Sequence, residues 1–387
     1  MKRETLLQSA GIAVAGLALS TMAAQAATET VLYSFPYNSY PYGRLEQDGS
    51  GALYGTAATL SADGAVYRLR QQGGAWTFKN LFKFSGSDGR QPYAGLIADR
   101  ANAIFYGVAE LGGTNDVGTV FSLASSGSGW TESVLHDFDG SDGTSPLAPL
   151  YRDKTTGNLF GTTVQGGPNN CGTVFEVTPS GGKRTFRTIY PLTGAEGCYP
   201  STQLKPGPKP GTLIGTTTSA IFEMKQSHGL WYASVIHQFG GPKDGNTPSD
   251  LDEASDGTIY GVTIGGGGHH QAGIVFQLVP NHAQWTYRII SKFDGADGSG
   301  PMGINYDSNT GVLYGTTANG GGWNMGTVFK LAYNGTSWKR TVLHQFSGGT
   351  TDGAYPPSRP IVIDGVLYGT TLNGGENNGG VFYSVQP

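Results

Sequence analysis

The sequence predicts an all-β protein, a seven-bladed β-propeller with four antiparallel strands per blade, and three observations support this. The chain has 63 glycines among 387 residues, which disfavours long helices because glycine destabilises them. A short phrase ending in Gly-Thr or Gly-Val recurs seven times. The two ends of the chain carry complementary parts of one repeat. Repeats of about 50 residues that each contain four short strands are typical of a propeller.

The recurring phrase predicts the second strand, b, of each unit. Its glycines lie 46 to 54 residues apart, at Gly55, Gly107, Gly161, Gly215, Gly261, Gly315 and Gly369. Glycine inside a strand weakens that strand. We therefore expect a bulky side chain of a neighbouring blade, a Trp or Phe of the fourth strand, to pack against each glycine.

Three further segments complete each unit, and we order them by analogy to the kelch layout. A Pro followed three or four residues later by an aliphatic residue predicts the innermost strand, a. Phrases such as Thr327-Val328-Phe329 predict strand c, and segments resembling Val-Leu-His-x-Phe, such as residues 342–346, predict strand d. Their β-branched and aromatic residues favour strand structure. Gly, Asn and Asp-Gly turns separate the four segments.

The two ends of the chain predict a closed ring. The strand d phrase comes first, at residues 31–35, and the strand b and c phrases come last, at residues 367–370 and 381–383. N-terminal strands that complete the C-terminal blade would leave no open sheet edge. An open solenoid is the alternative, but it would need no complementary ends and would usually have atypical capping units.

The N-terminus is typical of an export signal. Lys2 and Arg3 precede an apolar stretch at residues 6–19, and Ala24-Gln25-Ala26 form an A-x-A cleavage site. We expect residues 1–26 to be a signal peptide and residues 27–387 to form the propeller. The product would be secreted or periplasmic, with no membrane span in the mature chain. An uncleaved N-terminal anchor is the alternative.

Charge and motifs narrow the function classes. With 24 Lys+Arg against 28 Asp+Glu the net charge is −4, and no run of basic residues indicates nucleic-acid binding. A nucleophile elbow, a His-x-x-x-His pair, a phosphate loop and a CxxC pair are all absent from the sequence. We therefore predict no nucleic-acid partner and no cofactor, expect a monomer, and leave open whether the protein is an enzyme.

The two cysteines predict a disulfide. Cys171 falls in a b–c loop and Cys198 in the following d–a loop, which the strand layout places on the same face. Such a bond is expected in an oxidising compartment. Two free thiols or half of a metal site are the alternatives.

Acidic residues and histidines recur in the repeats without forming an obvious metal site. Asp-Gly recurs in the d–a loops, beginning at Asp88, Asp142, Asp244, Asp297 and Asp352. Calcium would need six to eight oxygens in one pocket, whereas Asp-Gly forms turns without a metal. His136, His237 and His344 share one strand position that Tyr, Phe or Ser fills elsewhere. Packing explains these histidines better than ligation, so we predict no metal.

Six residues are candidate ligand-binding residues. Trp323, among glycines in a b–c loop, is the only Trp outside strand d and could stack on a sugar or peptide. His269 and His270 form a pair that no other unit has, although adjacent loop histidines are more often merely exposed. Arg44, Gln203 and Asp250 precede the aliphatic residue of strand a and are expected to edge the central channel; Pro360 takes this position in the last unit.

The clearest unit shows a family resemblance. It contains Leu313-Tyr314-Gly315-Thr316-Thr317, Gly326-Thr327-Val328-Phe329, Val342-Leu343-His344-Gln345-Phe346 and Asp352-Gly353. These phrases resemble the GloVer (Gloeo/Verruco) tandem repeat of secreted "choice-of-anchor" bacterial proteins, and the resemblance covers essentially the whole chain after residue 26. It implies export and a repeated β-fold. It implies no reaction and supplies no catalytic residues.

Two function hypotheses follow. The first is a binding or scaffold module that recognises an extracellular glycan or protein through its b–c and d–a loop face, which bears Trp323, His269 and His270. The second is a propeller enzyme, a glycan hydrolase or lyase acting at the axial funnel, with Asp250 and Arg44 as first candidates. Two carboxylates about 5 to 10 Å apart in the funnel would favour the enzyme.

Overall fold

The computed structural model describes residues 28–59, 62–101, 103–127, 129–180, 183–241, 243–282 and 284–387. Within these ranges the regular secondary structure consists of β-strands alone. The strands form seven four-stranded antiparallel sheets. The sheets are the blades of a closed propeller, so the predicted fold is confirmed. The predicted signal peptide, residues 1–26, lies outside the described residues.

Blades 1 to 6 each take strands a, b, c and d in order from consecutive segments. The strands of blades 1 to 3 are Glu46–Gln47, Leu53–Ala57, Ala65–Gln72 and Ala75–Lys83; Ile97–Asp99, Ile104–Ala109, Thr119–Ser126 and Gly129–Asp137; and Tyr151–Arg152, Leu159–Thr163, Thr173–Ser180 and Lys183–Pro191. The strands of blades 4 to 6 are Lys205–Pro206, Thr212–Thr216, Ala220–Ser227 and Leu230–Gln238; Gly245–Glu253, Ile259–Gly266, Ile274–Asn281 and Gln284–Lys292; and Ser299–Asp307, Val312–Asn319, Thr327–Tyr333 and Trp338–Gln345.

Blade 7 closes the ring by joining the two ends of the chain. Its strands a to c are Ile361–Ile363, Val366–Thr370 and Val381–Gln386, and its strand d is the N-terminal Thr28–Ser34. Thr28 lies opposite Gln386, and Ser34 lies opposite Val381. One N-terminal strand therefore completes the blade, and the next segment already belongs to blade 1. A short two-stranded ribbon pairs Gly353–Ala354, in the loop before strand a of blade 7, with Asn373–Gly374, in the loop after strand b.

The glycine of strand b accommodates an aromatic ring of its own blade. Gly215 lies opposite Phe222 of strand c, and a Cβ at Gly215 would lie 2.5 Å from the ring and 2.8 Å from Leu204. The same relation holds in every blade, with Phe or Tyr in strand c. The expectation that a strand d side chain of a neighbouring blade packs there is therefore wrong. The aromatic ring folds back across its own sheet to reach the glycine.

The strand d tryptophans instead pack between blades. Trp76 of blade 1 contacts Phe382 of blade 7 with ring centroids 4.9 Å apart, and Trp231 of blade 4 contacts Phe160 of blade 3 at 6.0 Å. Each buried cluster of apolar side chains combines two adjacent blades. The core is thus a series of layers between blades, which expels water from both faces of every sheet and stabilises the ring.

Alternating strand direction places the b–c and d–a loops on one face, named here the loop face. The disulfide confirms this arrangement because Cys171, in the b–c loop of blade 3, bonds to Cys198, in the following d–a loop, with Cα atoms 4.4 Å apart. As for membrane spans, the described ranges contain no helix long and apolar enough to cross a bilayer.

Candidate axial binding site

A cavity of about 610 Å³ lies on the propeller axis and opens on the loop face. Most of its walls come from residues in or just before strand a of the blades, where the inner edges of the sheets converge. Arg44, Gln203 and Asp250 all line it, as the position of these residues in the repeat predicts. The ligand-binding role assigned to them remains a prediction.

A hydrogen bond between Arg44 and Gln203 crosses the channel. Arg44 of blade 1 donates from Nη1 to Oε1 of Gln203, which precedes strand a of blade 4, at 2.8 Å. The Nε2 of Gln203 donates to the carbonyl of Leu150 at 2.6 Å, and this bond fixes the orientation of the amide. Among the described residues, Gln203 is the only hydrogen-bond partner of the Arg44 guanidinium. Its remaining donors are therefore available to the cavity.

Burial, together with the charge of Arg359 and against the opposing charges of Asp250, Glu46 and Asp252, lowers the pKa of Arg44 to about 10. Arg44 is still protonated at neutral pH. A partly desolvated cation without a bonded carboxylate is a favourable position for an anionic group.

Arg359 also lines the cavity, although the sequence pointed to Pro360. Pro356, not Pro357, occupies the position of Pro92, because each packs its ring on the last glycine of the preceding b–c loop. Counting four residues from Pro356 makes Pro360 the buried counterpart of Leu96. Because Pro356 and Pro357 are adjacent, the sequence allowed two alignments of this unit. The choice of Pro357 shifted the predicted channel position from Arg359 to Pro360.

Arg359 is part of a buried ionic network below the cavity. Its Nη1 lies 2.9 Å from Oδ1 of Asp252 and 3.7 Å from Oδ2 of Asp250, and Lys205 reaches the same oxygen of Asp252 at 2.9 Å. Burial alone would raise the pKa of Asp252, but the charges of Arg359 and Lys205 outweigh burial and hold that pKa well below its usual range. The network keeps Asp252 ionised and the inner strands fixed to each other.

The Asp250 carboxylate is also held in place, by two backbone N–H groups. Its Oδ1 accepts the backbone N–H of Leu251 at 2.9 Å, and its Oδ2 accepts that of Ile304 at 3.1 Å. These bonds fix strand a of blade 5 against strand a of blade 6. The carboxylate therefore has a structural role at the wall of the cavity.

The outer wall of the cavity is mainly apolar. Tyr42 and Tyr93 pack edge to face, with ring centroids 5.0 Å apart. Ile264 and Met302 contribute aliphatic surface, and Glu110 adds a carboxyl group. Burial raises the pKa of Glu110. Apolar walls with a few polar groups are the usual composition of a small-molecule site.

The other predicted residues lie on the loop face, outside the lining of this cavity. Trp323 is 66 % exposed in the b–c loop of blade 6. His269 and His270 are exposed in the b–c loop of blade 5, with their rings 5.1 Å apart. The six candidates are therefore divided between an axial cavity and its surrounding loops, as their positions in the repeat predict.

Trp323 replaces a residue that supports the loop in other blades. Asn115 and Asn169, at the same place in blades 2 and 3, each donate from Nδ2 at 3.0 Å to the carbonyl of Phe138 and Leu192 respectively. The backbone of the blade 6 loop is nevertheless held as in blade 3, because Asn324 accepts the N–H of Gly320 at 2.9 Å. Trp323 thus stands exposed on an ordered turn.

The fold and this site define a seven-bladed β-propeller with a charged axial cavity. A sequence model of the Gloeobacter/Verrucomicrobia repeat matches residues 8–220 and 218–387. The chain therefore belongs to that repeat family, as the resemblance of its phrases indicated. No curated protein matches the sequence significantly.

Two solved structures of other proteins are similar in shape to this chain. One, described as a "putative 6-phosphogluconolactonase" from Bacteroides uniformis, has a TM-score of 0.57 and 14 % identity over 81 % of this chain and 87 % of that chain. Another, a "putative oxidoreductase (glucose dehydrogenase)" from Thermus thermophilus, has a TM-score of 0.48 and 14 % identity over 76 % of this chain and 94 % of that chain. At 14 % identity the likeness to the first of these structures shows the fold alone.

Proposed function

We propose that this protein is an exported binding module whose axial cavity holds an acidic saccharide. The observation that carries the proposal is Arg44, a partly desolvated cation with one neutral partner and with donors available to the cavity. The disulfide between Cys171 and Cys198 supports export, because such bonds are typical of oxidising compartments.

A carboxylate suits Arg44 better than a neutral group does. The guanidinium presents a planar set of donors that matches a carboxylate with two parallel hydrogen bonds. The bond to Gln203 sets its direction in advance, so little side-chain entropy is lost on binding. A charge-assisted hydrogen bond of this kind contributes about 1.5–3 kcal/mol.

A saccharide suits the remainder of the cavity. Tyr42 and Tyr93 offer ring surface for the C–H face of a sugar, and the cavity volume of about 610 Å³ matches one or two sugar units in scale. The exposed Trp323 would extend the contact to sugar units outside the cavity. The proposal therefore places the acidic unit at Arg44 and neutral units toward the loops.

The alternative is a glycan hydrolase or lyase, and Glu110 is the observation that favours it. Glu110 lines the cavity, and burial raises its pKa, as a general acid requires. Asp250, by contrast, has both oxygens engaged by backbone N–H groups and faces Arg359. This engagement makes Asp250 a poor nucleophile or base and supports binding over hydrolysis.

A glycan array that includes uronic, sulfated and neutral glycans tests the proposal. We expect the protein to retain glycans that bear a carboxylate, and we expect Arg44→Gln to reduce that binding at least roughly tenfold. Arg288→Gln is the matched control, because Arg288 is an exposed arginine of strand d in blade 5. Binding of neutral glycans only, or no effect of Arg44→Gln, would contradict the proposal. Release of new sugar ends that Glu110→Gln abolishes would favour the enzyme instead.

A further inference from the structure

Three positions meet at three of the junctions between two blades: a strand d histidine, an aspartate of the following d–a loop, and a strand d residue of the next blade. At the junction of blades 2 and 3 they are His136, Asp142 and Phe186. The His136 Nε2 lies 2.6 Å from Asp142, and its ring stacks on Phe186 with centroids 3.4 Å apart. The histidine is therefore held by one carboxylate and one aromatic face.

The junction of blades 4 and 5 repeats this arrangement. His237 lies 2.9 Å from Asp244 and stacks on Tyr287 with centroids 3.7 Å apart. The Tyr287 hydroxyl donates to Asp244 at 2.7 Å. Here too the third position is aromatic and the carboxylate is satisfied.

The junction of blades 6 and 7 keeps the histidine and aspartate but changes the third residue. Phe186 pairs with Val177, Tyr287 with Leu278, and Glu29 with Val385 at the same place in blade 7. Glu29 therefore stands where the other two junctions have a ring. Ligand atoms of Glu29, His344 and Asp352 all lie within 4.8 Å of one another.

Glu29 is incompletely satisfied in this position. Its Oε1 is buried without a hydrogen-bond partner, and one of its carboxylate oxygens lies within 4.8 Å of ligand atoms of His344 and Asp352. An unpartnered carboxylate oxygen beside a second carboxylate is unfavourable unless a proton or a metal cation joins them. The aromatic residues at the two related junctions create no such requirement.

Hydrogen bonds hold the Asp352 carboxylate in place beside His344. The backbone N–H and hydroxyl of Ser347 donate to Oδ2 of Asp352 at 2.8 and 2.9 Å, and the N–H of Gly353 donates to Oδ1 at 2.6 Å. The Nε2 of His344 lies 3.1 and 3.2 Å from the two carboxylate oxygens. Ligand atoms about 2.0–2.2 Å from one zinc ion lie roughly 3 to 3.5 Å apart.

We propose that Glu29, His344 and Asp352 bind a divalent transition-metal ion, with zinc as the reference case. An imidazole with two carboxylates suits zinc and its neighbours, whereas calcium and magnesium prefer oxygen ligands alone. The ion joins the N-terminal strand of blade 7 to strand d and the d–a loop of blade 6. It is a clip across the junction that involves the ring-closing strand.

Zinc titration by calorimetry, after removal of metal with a chelator, tests the clip. The exposed pair His269 and His270 is a second place where zinc could bind, so the titration uses the variant His269→Ala/His270→Ala as parent and a purification tag without histidine. We expect one zinc per chain in this parent. Glu29→Gln should weaken binding at least roughly tenfold, because even a partner of a metal ligand contributes that much.

Two further variants separate ligation from folding. His344→Gln should also weaken zinc binding, whereas His237→Gln, at the junction whose third residue is Tyr287, should leave it unchanged. Zinc should slow amide hydrogen exchange in residues 28–34 of the parent but not of Glu29→Gln. No zinc binding in the parent, or equal binding in the Glu29→Gln and parent proteins, would overturn the proposal.

Discussion

The substitution Gly215→Ala tests how each blade is packed. The added Cβ would lie 2.5 Å from Cζ of Phe222 and 2.8 Å from Cδ2 of Leu204, and both side chains are buried with at most 1 % exposure. Ordinary carbon contacts are about 3.5–4.0 Å, so the ring must move by about 1 Å. Gly240→Ala in the same blade is the control, because a Cβ there meets nothing within 4 Å.

The magnitude follows from two opposing effects. Overpacking of a buried site destabilises a protein by about 1–3 kcal/mol. Replacing glycine by alanine also restricts the unfolded chain, which offsets about 0.4–1 kcal/mol. We therefore expect Gly215→Ala to lower the free energy of unfolding by about 1–2 kcal/mol, and Gly240→Ala to leave it unchanged or slightly raised.

Urea unfolding followed by tryptophan fluorescence measures these changes, and Trp231 lies in the same blade. A second variant, Phe222→Leu, shortens the side chain that the new methyl group would meet. In the double variant the two changes should partly compensate, with a coupling of about 0.5–3 kcal/mol. A stable Gly215→Ala protein, or strictly additive effects in the double variant, would refute this account of the repeated glycine.

Three other predictions concern the loops and the pH response. Replacing Cys171 and Cys198 together by serine should lower the free energy of unfolding by about 3–4 kcal/mol, measured in urea, because the bond closes a 27-residue segment. Trp323→Asn should not destabilise the protein, since it restores the Asn of the related loops, yet it should weaken glycan retention on the array. Burial, with the charge of Asp88, raises the pKa of Glu132 from 4.5 to about 7. The folded protein therefore holds that proton more tightly and loses stability as pH rises from about 4.5 to 7. Glu132→Gln should raise the melting temperature relative to the parent more at pH 8 than at pH 5.

The sequence predicted the architecture because each blade repeats the same local requirements. Phrases of fixed order marked strands b, c and d, and the incomplete units at the two ends marked the closing blade. The disulfide followed from strand direction alone, because Cys171 and Cys198 fall in loops that alternate onto one face. These features depend on neighbours along the chain, which a single sequence shows.

The site was harder to predict from the sequence because its contacts join residues of distant blades. Nothing near Arg44 in the sequence indicates that Gln203, 159 residues away, is its partner. Arg359 was missed because Pro356 and Pro357 gave two possible alignments. The position of Glu29 had a signal that could have been used: it lies four residues before Tyr33, as Phe186 lies four before Tyr190. Its neighbour His344 belongs to a different blade, so only the structure shows that the two residues are close to each other.

The most direct test of the proposed function compares one ligand with and without its charge. The acidic glycan that binds most tightly on the array is titrated into the protein by calorimetry, first as the free acid and then as its methyl ester. If Arg44 recognises the carboxylate, esterification should weaken binding to the parent at least roughly tenfold and should make little difference to Arg44→Gln. Equal affinity of the parent for acid and ester would contradict the role assigned to the axial cavity.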